Sequence, residues 1–117
     1  MSIELQRVYD QRPGRRGWRF LVDRLWPRGV RKEDLPLDGW LKDVAPSDGL
    51  RRWFGHDPER WDEFVRRYRK ELDAHPESWK PLRDAVEHGR VVLLFGAKDE
   101  EHNNAVALRE YLERKLH

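Results

Sequence analysis

Apolar positions are clustered along the chain in ways that separate strands from helices. Ile3, Leu5 and Val8, with Tyr9 close behind, suggest a short first strand. The stretch from Asp10 to Gly17 is turn material, with Pro13 and two glycines among three arginines. Trp18 to Leu25 has a compact apolar centre at Phe20, Leu21 and Val22, which suits a second, buried strand. Pro27 and Gly29 end it and bend the chain. Five apolar residues in a row, Val91 to Phe95, give the strongest strand signal in the sequence. A run with no polar face needs cover on both sides, as in a parallel sheet.

Helical periodicity occupies the intervening half. Ser47 has the character of an N-cap before DGLRRWFG, and Gly55 is placed to stop that helix. Asp57 is a second N-cap, with Pro58 at the first helical position, where its missing N–H costs nothing. Trp61, Phe64, Val65, Tyr68 and Leu72 then recur at helical spacing, predicting a helix from about 58 to 74 that Pro76 breaks. Trp79, Leu82, Ala85 and Val86 predict another, running to Gly89, and Val106, Leu108, Tyr111, Leu112 and Leu116 a last one. The segment 31–47 predicts one short helical turn and a brief extended piece around Trp40 to Val44. The order is strand, strand, helices, strand, helix. It reads as a single domain over 1–117, a small three-layer α/β sandwich with a mostly parallel sheet flanked by helices.

Composition narrows the function classes. The 117 residues contain no cysteine, which excludes disulfides, thiolate ligands and a cysteine nucleophile. No signal-peptide core and no membrane-length apolar run is present, so a soluble, cytoplasmic protein that does not engage a membrane is expected. Lys and Arg number 24 against 22 acids, but the charge is uneven: residues 1–31 carry eight arginines and three carboxylates. A basic first third favours anionic ligands, either a phosphate-bearing small molecule or, ranked lower for want of a base-reading helix, nucleic acid. The sequence does not define an oligomeric state.

Ligands of parallel α/β sheets bind beyond the carboxyl ends of the strands. Two polar segments follow buried strands directly: Asp23 to Gly29, and Gly96 to Asn104. Three readings of them compete. In one, Arg24, Arg28 and Lys98 hold an anion, with Arg28 favoured because Pro27 and Gly29 fix its backbone. In another, Asp23, Asp99 and His102, with His56 or Asp57 nearby, do acid–base work or bind a divalent metal, although no spacing matches a recognised metal site. In the third these residues are structural, with Asp23 capping a turn and Asp99 or Glu100 capping the last helix. His56, just before a cap, faces the site only if its loop folds over the sheet edge. Trp26 and Trp40, flanked by turn residues, are candidate pocket walls, whereas Trp53 and Phe54 read as core.

The blocks DRLWPRG, WLKDVAPS, LRRWFGHDPERW and AKDEEHNNA, in this order, resemble the YeaO-like family of bacterial and archaeal proteins, a domain-of-unknown-function family. The resemblance spans nearly the whole chain and implies a compact cytoplasmic α/β domain with no established activity. Distant members resemble this chain less in the last loop, where they carry a cysteine. This chain has none, so thiol chemistry cannot operate here. Taken together, the leading expectation is a site that binds or processes a nucleotide or sugar phosphate. Asp23, Lys98, Asp99 and His102 are then the candidate catalytic groups, and Arg24, Trp26, Arg28, His56 and Asn103 the ligand-binding ones. The alternative is a nucleic-acid- or protein-binding module without catalysis. The residues point to no particular cofactor.

Overall fold

The computed structural model describes residues 2–10 and 17–116. Four strands, β1 (Ile3–Arg7), β2 (Trp18–Leu21), β3 (Gly39–Trp40) and β4 (Val91–Phe95), form one sheet in the order β1-β4-β2-β3. Every pairing is parallel. The central position of β4 between β1 and β2 explains its unbroken apolar run, since all five of its residues are buried.

Register aligns Leu5, Leu93 and Phe20 across the sheet, and Gln6, Leu94 and Leu21 one step on. Because side chains alternate between faces, the two rows feed different cores. Phe20, Val22, Val91, Leu93 and Phe95 pack with the helices α1 (Asp48–Phe54), α2 (Trp61–Ala74), α3 (Pro76–Val86) and α4 (Asn104–Lys115). Leu21, Val92 and Leu94 pack on the opposite side with Leu35, Val30, Leu37, Trp26 and Trp40. The third layer is thus the segment between β2 and β3, which contains one 3₁₀ turn, Lys32–Asp34. The α/β class and the parallel sheet are as the pattern predicts.

Local signals act largely where expected. The Ser47 side chain accepts from Leu50 N–H, and Gly55 closes α1 in the left-handed region at φ 54°. Asp57 accepts from Glu59 N–H, but the first turn after it, Pro58–Arg60, is 3₁₀ and α2 proper begins at Trp61. Pro76 both ends α2 and occupies the first turn of α3. Two details differ from the sequence expectation. The extended piece is only Gly39–Trp40, and Lys42–Val44 forms a 3₁₀ turn that buries Val44. The cap of α4 is Asn103, whose side chain accepts from Val106 N–H, rather than Asp99 or Glu100.

Candidate functional site

The chain leaves β2 and β4, neighbours in the sheet, toward opposite faces. After β2 it covers the Leu21/Leu94 side, and after β4 it runs to α4 on the helical side. Divergence of adjacent strand exits opens a crevice at their carboxyl ends, the usual ligand position in parallel α/β folds. Here the crevice has a volume of about 430 Å³, within the range of small-molecule sites.

A partly buried carboxylate in its lining is that of Asp23, two residues past β2. One carboxylate oxygen accepts from Gly96 N–H, the first residue past β4, at 2.8 Å, so the carboxylate ties the two strand ends together. The carbonyl of Asp23 accepts from the Trp40 indole at 2.8 Å. Burial raises the Asp23 carboxyl above the ordinary range; the Gly96 N–H, the Asn104 amide and the Arg51 charge oppose that rise without cancelling it. A Cβ at Gly96 would sit 3.3 Å from that same Asp23 oxygen, a tight contact that the carboxylate would have to yield to.

The walls are apolar: Trp26, Pro27, Pro46, Phe54 and Phe64 all face the crevice. Trp26 is fixed by its indole N–H, which donates to the Val30 carbonyl at 2.6 Å, and by an edge-on contact with Trp40 at 5.3 Å. Trp40 therefore supports the wall from behind without lining it. Phe54 stacks on Phe64 at 4.3 Å between centroids. The rim is cationic. Arg28, Arg51 and His56 line it and are all solvent-exposed. Among the described residues the Arg28 side chain has no hydrogen-bond or ion-pair partner, while its carbonyl is held by the Tyr9 hydroxyl at 2.9 Å. Arg51 shares its charge with Asp48 at 3.4 Å. His56 follows Gly55 in the left-handed region, at φ 56°, which brings its ring to the crevice beside Phe54. A non-glycine residue there is strained by roughly 1 kcal/mol or more.

Of the residues singled out from sequence, the crevice gathers Asp23, Arg24, Trp26, Arg28, His56 and Asn103, but not Lys98, Asp99 or His102. Arg24 is committed to the chain before α1: it donates to the Ala45 and Pro46 carbonyls at 3.3 and 3.4 Å and stands 3.7 Å from Asp48. Asn103 is buried and serves α4 through its oxygen, while its amide donates to the Asp99 carbonyl at 2.9 Å. Asp99 organises the preceding turn, accepting from the Glu101 and His102 N–H groups and lying 3.0 Å from His102 Nδ1. The Glu101 N–H, then His102, hold its carboxyl below the usual range. The His102 ring packs edge-on against Trp61. Lys98 is exposed. Arg51, expected near the site only if the His56 loop folds over the sheet edge, and Asn104, at the end of the second polar segment, also line the crevice, although neither is among the candidate catalytic or ligand-binding groups. For Asn104, whose amide donates to the Val22 carbonyl at 3.0 Å, the available signal is a second amide opening an otherwise apolar helix start. No cluster of three metal-ligating side chains occurs among the described residues, and none of their helices is long and apolar enough to cross a membrane.

Comparison with known proteins agrees with the sequence resemblance. Residues 2–117 match the family model described as the inactive DUF488-N3 subclade. The uncharacterised protein YeaO of Escherichia coli is 40% identical over 112 residues, covering 96% of this chain and 97% of that protein. Uncharacterised proteins of Mycobacterium bovis and Mycobacterium tuberculosis are each 51% identical over 70 residues, 60% of this chain and 59% of theirs. No solved structure matches the chain. The near-complete coverage by YeaO and the family match lead to one conclusion: the chain belongs to the YeaO-like DUF488 family.

Proposed function

We propose that the crevice at the ends of β2 and β4 binds a phosphate-bearing small molecule without turning it over. The observation that carries this reading is the pairing of an apolar-walled crevice with a rim of Arg28, Arg51 and His56, in which Arg28 has no partner among the described residues. A guanidinium left unpaired at the mouth of a pocket suits an incoming anion, which it can bind in a bidentate, charge-assisted way. The fixed backbone around Arg28, tied by Tyr9, lowers the ordering cost of that contact.

The crevice gathers only part of the candidate acid–base set. Of the acid–base set only Asp23 and His56 line it, and Asp23 is engaged with Gly96. No serine, threonine, lysine or tyrosine lines it among the described residues. The matched subclade is described as inactive, which favours the same reading.

The test is a melting-temperature panel of phosphates, nucleotides and sugar phosphates on the wild type and Arg28→Ala. A ligand at 100 times its dissociation constant adds about 2.7 kcal/mol, or about 10 °C for a domain this size. A shift in the wild type that Arg28→Ala loses, with its unliganded melting unchanged, supports the site. No shift from any compound sinks it.

A further inference from the structure

The polar groups of the crevice differ in exposure, and that contrast bears on which end of a ligand enters first. Asp23 is partly buried, its carboxylate tying the ends of two adjacent strands together with the Asn104 amide beside it. The equally shielded Arg24 is committed to the Ala45 and Pro46 carbonyls, and Asn103 to α4 and Asp99. Arg28, Arg51 and His56 are exposed at the rim. Trp26, Pro27, Phe54 and Phe64 supply apolar wall. An anion alone would satisfy the rim but offer no hydrogen-bond donor to the Asp23 carboxylate. A complementary ligand has a flat, largely apolar body, N–H donors at its inner end and a phosphate at its outer end. A nucleoside phosphate, base inward, has this distribution.

Resting on the proposed anion site, we infer that the crevice takes a guanine nucleotide, with Asp23 accepting from the Watson–Crick edge of the base and the phosphate on Arg28 and Arg51. The choice among bases follows from donor and acceptor patterns. A carboxylate only accepts hydrogen bonds. Guanine offers two adjacent donors on that edge, N1–H and the N2 amino group. Adenine and cytosine each pair one amino donor with a ring nitrogen acceptor, which a carboxylate repels. Uracil offers one donor between two carbonyls. Hypoxanthine keeps N1–H and lacks the amino group, so it isolates a single donor. The Asp23 oxygen bonded to Gly96 N–H holds the carboxylate in place, which limits its freedom to turn away from an unfavourable base.

The experiment is calorimetric titration of the full chain with GMP, IMP, AMP, CMP, UMP and inorganic pyrophosphate, using wild type, Asp23→Asn and Arg28→Ala. A hydrogen bond to a charged group is worth roughly tenfold or more in affinity. The expected wild-type order is GMP above IMP by about tenfold, with AMP and CMP weaker again. Asp23→Asn keeps an oxygen for Gly96 N–H but presents a donor as well, and should reduce the GMP preference to within about threefold. Arg28→Ala should weaken every phosphate by a similar factor and leave the base order intact. Nucleotides and pyrophosphate bound without base preference, or a GMP preference unchanged in Asp23→Asn, overturn the base assignment while the anion site stands. Failure of every compound to bind overturns both. If Asp23→Asn does not fold, the wild-type ratio of GMP to IMP and AMP decides: a ratio near one overturns the inference.

Discussion

Asn103 lines the crevice, yet both ends of its side chain are occupied by the protein itself, and replacing it tests which role dominates. Its oxygen caps α4 by accepting from the buried Val106 N–H at 3.0 Å, and its amide donates to the Asp99 carbonyl at 2.9 Å. Asn103→Ala removes both bonds in a position only 3% exposed. Loss of an N-cap costs about 1 kcal/mol. Stranding polar groups that water reaches poorly adds about 1–3 kcal/mol, giving a total of about 2–4 kcal/mol. With an unfolding entropy near 2.1 cal/mol/K per residue, the 117-residue chain should melt about 8–16 °C lower. Asn103→Ser retains a capping oxygen and should recover about 1 kcal/mol of the loss. The assay is thermal unfolding by circular dichroism without ligand, confirmed by denaturant midpoints. An Asn103→Ala protein melting within 3 °C of the wild type would refute the structural role and return Asn103 to the ligand-binding set.

Three further outcomes are expected. Because burial raises the Asp23 carboxyl, its ionisation costs the folded state stability as pH rises from about 4 through its folded pKa. The melting temperature of Asp23→Asn relative to wild type should therefore be more favourable at pH 7 than at pH 4, and a pH-independent difference would count against a buried, ionising Asp23. Gly17 adopts φ +147°, and a Cβ there would lie 2.7 Å from the Arg90 carbonyl oxygen, so Gly17→Ala should destabilise by about 2 kcal/mol or more; an unchanged denaturant midpoint would contradict that packing. Trp40→Phe deletes the indole bond to the Asp23 carbonyl and should cost about 1 kcal/mol or more while weakening phosphate binding through the unsupported Trp26 wall; undiminished binding would show that Trp26 holds its place alone.

The sequence by itself determined the elements and the class. Val91 to Phe95 can be satisfied only in a strand covered on both faces, and the caps at Ser47, Gly55 and Asp57 act through bonds a few residues away. It also marked the two polar segments after the buried strands, since periodicity stops abruptly at Asp23 and Gly96. Such signals are local, so they survive without knowledge of the fold. Tertiary structure decided the rest. The placement of β4 between β1 and β2, and the departure of the two chain exits to opposite faces, set which halves of those segments meet. Asp23 reaches Gly96 across 73 positions of sequence. Asp99 and His102 instead satisfy one another within a single turn, and the His102 ring packs against Trp61. Arg51 enters the site from a helix whose pattern speaks only of amphipathicity. Side-chain type and spacing name the groups capable of chemistry. Which of them share a cavity depends on long-range pairing and chain direction, and no local preference encodes either.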